Sequence, residues 1–399
     1  MNKQLEKNIG KEYVFSVLNN FNLTRSIWML YLAFKGMNLF QIGMMEAIFH
    51  ITSFSMEIPT GLVADVYGRK VSRLIGRLLN IISLLLLIIG KEVGMIALSF
   101  VVSALSYNLE SGAGDALLYD SMKEIGREAE YSRVIGKREI FFQISATVSM
   151  LLAGYLAKTD YLLVYKVATG IGVLTLIQAF SFTEPSLGRV QTEQGGLKLL
   201  GLQFKESMGI IKGNRSLRIL ILFSEIFALC YTTEFFYIQN YLKGQGKTEL
   251  YISMILAIGA LLSALAASQT HKFIKSLGTN KLLSAASLLA IGGFWWVALF
   301  KGEGIAFIGI SLIEGIIFVT TSQMINERIP SEQRATLLSF QSMFFSSLMI
   351  VVFPMIGKMG DYFGLKRAFG LLAVIAMVAL TAIFVKAGVR TKDEALPLE

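Results

Sequence analysis

Apolar stretches of about twenty residues recur along the whole chain, separated by short segments where glycine and charged residues gather. A helix needs about 20 mainly apolar residues, rising about 1.5 Å each, to cross the hydrocarbon core of a bilayer. The pattern predicts twelve such helices, over 13–35, 39–65, 71–90, 95–118, 139–157, 161–181, 217–239, 250–269, 281–300, 304–326, 337–357 and 366–388. The longest polar connection runs from Thr183 to Arg215 and holds TEPSLGRVQTEQGG. It divides the chain into an N-terminal six-helix bundle (1–182), a linker (183–215) and a C-terminal six-helix bundle (216–399). The halves echo each other: EIGREAEYSRVIGKRE follows helix 4 and ERIPSEQRATLLSFQ follows helix 10, which puts Arg133 and Arg334 in comparable places. The predicted fold class is an all-α membrane protein, with twelve transmembrane helices in two pseudo-symmetric six-helix bundles. Repeats of this kind place a substrate site near the midplane between them.

Charge sets the orientation. With both termini on one side, lysine and arginine concentrate on that side, and the positive-inside rule makes it cytoplasmic. The same asymmetry accounts for the net charge of +9 without a nucleic-acid partner. A composition of 54% hydrophobic and 16% charged residues excludes a soluble globular protein of this length. Lys3, Lys7 and Lys11 precede the first apolar run, with no small-residue cleavage signal, so the run reads as a retained span. The lone Cys230 can make no internal disulfide, and two histidines without a cysteine cluster give no metal site. No phosphate-binding G-x4-G-K-[ST] loop is present. The chain thus carries no cofactor and no enzyme signature, and transport would draw on an ion gradient or run downhill. Compact loops point to a bacterial cytoplasmic membrane.

Charges inside predicted spans carry the functional signal, because a charged side chain at the bilayer centre costs at least roughly 2.5 to 3.5 kcal/mol and needs a partner or water. By helical rise, Arg25, Glu110, Glu225 and Glu314 fall roughly 12 to 20 Å from the inner edge. A close Arg25–Glu110 pair would keep both ionised, or would only pin helix 1 to helix 4. Glu225 and Glu314 have no obvious basic partner. Such carboxyls suit reversible proton uptake or capture of a cationic ligand, or else hydrogen-bond a neighbouring helix. On helix 2, Glu46, His50 and Glu57 lie within about 40° of one another, a titratable face that could pass protons; His50 also reads as a packing residue. At the end of helix 4, Gly112 and Gly114 would admit a close helix neighbour. Asp115 and Asp120 there are placed to meet Arg133, Lys137 or Arg138, Asp120 as a structural anchor and Asp115 equally as a substrate- or proton-coupling acid. Tyr107, Tyr231, Phe235, Phe236 and Tyr237 read as packing groups or as an amphipathic wall.

The decapeptide GLVADVYGRK, Gly61 to Lys70, sits between two long apolar segments. It resembles the signature loop G-x-L-A-D-R-x-G-R-K that follows the second helix in the major facilitator superfamily; Val63 is a conservative departure and Val66 replaces a frequent arginine. The resemblance covers essentially the whole chain. It implies that helices 1, 4, 7 and 10 line a central cavity, that Gly61 and Gly68 allow tight turning and close approach, and that Asp65, Arg69 and Lys70 latch one conformation. It also implies a monomer. The longer pattern EIPTGLVADVYGRK has the spacing E-x-P-x5-D-x3-R-K and resembles the variant loop of clostridial-type tetracycline efflux proteins. There acids of helix 2 are important; Glu57 matches the second, and His50 stands where another acid is expected. Two antiporter marks are missing: the usual basic residue of helix 4, and the glycine-proline motif in helix 5, here QISATVSMLLAGYLA.

Together these point to a proton-coupled exporter of small amphipathic or cationic molecules, drugs among them, working by alternating access. Glu225, Glu314 or Glu110 would exchange a proton for substrate while Arg25 tunes the acids. A nutrient importer or a lipid flippase would use the same fold. A membrane receptor is a more remote alternative, since a linker of about thirty residues is too short for a signalling domain.

Overall fold

The computed structural model describes residues 2–186, 209, 213–329 and 334–388. Among them every regular element is helical: α1 (Asn2–Asn20), α2 (Trp28–Phe34), α3 (Leu39–Tyr67), α4 (Arg69–Ile89), α5 (Val93–Glu110), α6 (Ala113–Glu124), a 3-10 turn (Glu128–Glu130), α7 (Tyr131–Ala157), α8 (Tyr161–Phe180), α9 (Arg215–Gly244), α10 (Glu249–Leu277), α11 (Thr279–Leu299), α12 (Glu303–Asn326), α13 (Arg334–Phe363) and α14 (Leu365–Gly388). Nine described helical segments are long and apolar enough to cross a membrane: α4, α5 with α6, the 3-10 turn with α7, and one each from α8 to α13. The other three of the twelve spans are the broken pair α1–α2, the acid-bearing α3, and the terminal α14. Most of the predicted linker, and residues 330–333 of the second echo segment, lie outside the described residues.

Two predicted helices are broken. The first runs not from 13 to 35 but as α1 and α2, with residues 21–27 outside helix. The sequence NNFNLT spells the break, since asparagine side chains readily replace helical bonds with turns. Here Asn22 Oδ1 accepts from the Thr24 amide at 3.1 Å and its hydroxyl at 2.8 Å. Freed carbonyls in a span must find other donors; Ser149 Oγ of α7 reaches Asn22 O at 3.4 Å, and Ser145 Oγ adds a 2.6 Å bond to Val17 O, which also accepts from the Phe21 amide at 3.0 Å. The fourth span is interrupted at Ser111 and Gly112, between α5 and α6.

The Gly61–Lys70 segment is also not a loop. Helix α3 continues to Tyr67 and α4 begins at Arg69, which leaves Gly68 as the connection. Gly68 has φ +103°, a conformation that only glycine adopts without strain. Gly61 lies on an open face of α3, where an added Cβ would meet nothing within 4 Å. Among the described residues it supports no close helix approach.

The chain forms two compact units, Met1–Gln194 with Lys243–Ala257, and Gly195–Leu242 with Ile258–Glu399. In the first, α4 lies tightly on α5: Ser72 Oγ donates to Leu109 O at 2.6 Å, Ser106 Oγ to Gly76 O at 2.8 Å, and a Cβ on Gly76 would come within 3.2 Å of Ser106 O. Small residues let backbones approach in this way. In the second, Phe227 meets Phe294 edge-on and the Tyr237 hydroxyl donates to Phe353 O at 2.9 Å, so Tyr237 is fully buried as a packing group.

Candidate functional site

In the first unit the break in the opening helix carries Arg25, which is exposed, on non-helical backbone. Broken spans bearing a charge mark ligand sites in many transporters. Beside it, Tyr107 of α5 is 56% exposed and lies within electrostatic reach of both Arg25 and Glu57. Helix α3 supplies the other groups. His50 Nε2 lies 3.5 Å from Glu46 Oε1 one turn away, and Ser53 Oγ donates to Asn108 Oδ1 at 2.7 Å. The Phe49 ring meets both His50 (5.5 Å) and Tyr107 (5.9 Å). The predicted α3 series Glu46, His50 and Glu57 thus belongs to one set with Tyr107 of α5 and Arg25 of the α1–α2 break.

Glu110 belongs to a different assembly. Its carboxylate lies 3.1 Å from Arg73 Nη2 of α4, which also holds Glu12 of α1 at 2.8 Å. The ion pair shown for Glu110 is therefore with Arg73, not the predicted one with Arg25. Gly114 makes room for it: an added Cβ would lie 2.5 Å from Arg73 Nη2. The guanidinium also sits over the rings of Phe15 (4.0 Å) and Phe182 (4.7 Å). Arg138 of α7 extends the network, 3.5 Å from Glu12 and 2.6 Å from Asp115, while Arg77 donates to Asn19 Oδ1. Asp115 thus finds one of its predicted partners. Three cations and three anions balance, which a low-dielectric site requires. Sequence reasoning missed Glu12, Arg73 and Arg77; the arginines' four-residue spacing on one face of α4 was the available signal.

At the Gly68 connection, Arg69 Nη1 lies 2.6 Å from Asp65 Oδ1 and its Nε 3.8 Å from Asp120 Oδ2. Asp120 therefore joins this cluster rather than the basic residues of α7. Glu184, just past α8, accepts from the amides of Arg69 and Lys70, both at 2.7 Å. Its two oxygens satisfy two of the free N–H groups that open α4 and place a negative charge at the positive end of that helix. The linker residue TEPS was read only as part of a polar connection, so this contact was not anticipated.

The second unit holds its acids differently. Glu225 Oε1 of α9 accepts from Ser224 Oγ at 3.0 Å and from Gln341 Nε2 of α13 at 3.2 Å, both neutral donors. Glu314 Oε2 of α12 accepts from Ser263 Oγ of α10 at 2.6 Å. Next to it, Gly315 allows the approach, since a Cβ there would collide with the Ser263 carbonyl. Tyr231 stacks on Phe307 and its hydroxyl reaches Ser311 Oγ at 3.3 Å. A further acid, Glu234, is 1% exposed, and its Oε1 has no hydrogen-bond partner among the described residues. It was overlooked because it reads as one polar letter in the buried run of α9.

The profile of the Major Facilitator Superfamily matches residues 13–354. An uncharacterised MFS-type transporter, YxaM of Bacillus subtilis (strain 168), is 24% identical over 398 residues, covering 97% of this chain and 98% of its own. Among solved structures, a mutant of the nucleoside transporter NupG aligns with a TM-score of 0.80 at 15% identity, over 94% of this chain and 99% of that one. A D-xylose-proton symporter aligns with a TM-score of 0.73 at 11% identity, over 96% and 97%. At these identities the structural likeness speaks to the fold. With the profile spanning most of its length, the chain belongs to the Major Facilitator Superfamily and is a multi-pass membrane transporter of that family.

Proposed function

We propose that this transporter exports small amphipathic compounds, organic cations and drugs among them, in exchange for protons. The observation that carries the reading is the contrast between its acids. Glu110 is committed to the Arg73 ion pair, whereas Glu225 is held by the neutral Ser224 and Gln341. A carboxyl with neutral hydrogen-bond partners can take up and release a proton without breaking an ion pair, as proton coupling requires. Glu225 is therefore the coupling acid of first choice, with Glu314 second. Arg25, Glu57, His50 and Tyr107 form the polar and aromatic set that meets substrate. The Asp65–Arg69–Asp120 cluster, with Gly68 and Lys70, latches one conformation. In this reading both termini are cytoplasmic, the protein acts as a monomer, and the two six-helix bundles, 1–182 and 216–399, rock about a central site.

Uptake of a small polar nutrient is the second reading, supported by the absence of a glycine-proline motif in QISATVSMLLAGYLA of α7. The deciding experiment uses purified protein in liposomes with an imposed pH gradient and an internal pH-sensitive dye. A panel of amphipathic drugs including a tetracycline is compared with nucleosides and sugars, beside Glu225→Gln and Glu314→Gln. Drug-dependent proton flux that disappears in Glu225→Gln is the expected result. Flux with nucleosides or sugars alone would establish the second reading, and no proton movement with any compound would refute coupling to protons.

A further inference from the structure

Helix α1 begins well before the predicted first span, and its opening turns present Lys3, Lys7 and Lys11 at four-residue spacing. Like charges so spaced repel one another, and nothing in the transport reading uses them. They line a shallow, open groove of about 670 Å³ along one face of α1, with Gln178 of α8 at its side. Gly10 lines its floor, and an added Cβ there would meet nothing within 4 Å, so the groove is open at that point. The acid at its rim, Glu6, is already answered by Arg127 at 2.9 Å. Lys11 is held in place by a 2.5 Å bond to Ser181 O. Burial, and then the nearby Lys70 and Lys7, hold its ammonium pKa below the usual lysine range. An anion in the groove would offset the repulsion from the neighbouring lysines.

The surface next to the groove is apolar. Val14 continues the lysine stripe along α1 and is 50% exposed. On α8, Leu174 stands one turn before Gln178 on the same face and is 54% exposed; Ile177, about 100° further round the helix, is 61% exposed. A ligand that fits must be anionic at one end and apolar along the adjoining helix faces.

We infer that the groove between the lysine stripe of α1 and Gln178 of α8 binds the phosphate headgroup of an anionic phospholipid, whose acyl chains lie along Val14, Leu174 and Ile177. Basic pockets between spans at the membrane surface recognise such headgroups, and each lysine near an anionic surface strengthens binding. The bound lipid would screen the lysine repulsion and tie α1 to α8 beside the Gly68 connection.

The test uses the purified full-length chain in a neutral detergent, titrated with phosphatidylglycerol, phosphatidylcholine or inorganic phosphate. Lipid adducts are counted by native mass spectrometry and the thermal midpoint is followed in parallel. Phosphatidylglycerol should bind and raise the midpoint, with a response that weakens in high salt. A Lys3→Gln/Lys7→Gln/Lys11→Gln variant should bind it roughly fivefold more weakly per lysine removed. The matching arginine variant should keep binding, and so should a Lys272→Gln/Lys275→Gln/Lys281→Gln variant, altered at exposed lysines of the other unit. Three results would overturn the inference: equal binding of phosphatidylcholine, undiminished phosphatidylglycerol binding by the first variant, or the same stabilisation from inorganic phosphate alone.

Discussion

Replacing Arg73 by glutamine should be among the most damaging single changes in the first unit. The Arg73 and Glu12 side chains are 1% and 3% exposed, and Glu110 is 14% exposed. Removing the guanidinium leaves two carboxylates in a poorly solvated space. Among the described residues only Arg138, at 3.5 Å from Glu12, remains as a direct ion-pair partner of either. Breaking a buried ion pair by deleting one partner costs about 3 to 5 kcal/mol. A unit of this size loses roughly 2 to 4 °C of thermal midpoint per kcal/mol, so the drop should be about 6 to 20 °C. Glu110→Gln should cost much less, because Arg73 keeps Glu12. In the double variant the second change removes one of the orphaned charges, so the combined loss should fall short of the sum. The assay is thermal unfolding of purified protein in one detergent for wild type, both singles and the double. A loss below roughly 2 °C for Arg73→Gln, or strict additivity in the double, would refute the account of this network.

Three other substitutions test the geometry elsewhere. Gly68→Ala places a side chain at φ +103° and a Cβ 2.8 Å from Glu184 Oε1; it should cost roughly 1 to 2 kcal/mol of backbone strain and displace the Glu184 cap, so adding Glu184→Ala should then lower the thermal midpoint little further. Gly315→Ala drives a methyl into the Ser263 carbonyl and should cost about 1 to 3 kcal/mol, with transport in proteoliposomes falling at least about tenfold; wild-type transport would show that α10 and α12 need not be so close. Ser145→Ala removes the 2.6 Å bond to Val17 O, which keeps the Phe21 amide at 3.0 Å, and should destabilise by about 0.5 to 1.5 kcal/mol. Ser149→Ala should do less, because its bond to Asn22 O is 3.4 Å long and shared with Ala146 O; equal effects would count against serine repair of the break.

The spans were legible because each must be apolar over a fixed length, a constraint written into consecutive residues. The titratable face of α3 was legible for the same reason, since helical geometry alone puts Glu46, His50 and Glu57 together. Partner choice was not. Arg25 and Glu110 sit at similar depth, but depth along the membrane does not say which helices adjoin, and α4 brings Arg73 to Glu110 first. Arg73 and Glu12 drew no attention because charges near the ends of spans are ordinary. The connection expected over residues 66–70 proved too long, because its polar letters were taken to lie outside the helices that flank it. In the structure α3 carries them through Asp65 to Tyr67, and only the left-handed glycine turns the chain. The signal for the broken first span, three asparagines in NNFN, was present but outweighed by the apolar letters around it.

The buried Arg73–Glu12 bond joins residues 61 positions apart. At about 5 to 20 residues per second of synthesis, Glu12 exists for roughly 3 to 12 s before its arginine is made. Helix α1 is not among the described segments apolar enough to cross a membrane by themselves. Only when α4 is made does Arg73 supply the counter-charge that accompanies Glu12 in its buried place. A defect in α4 would leave the Glu12 carboxylate without the guanidinium that compensates its burial.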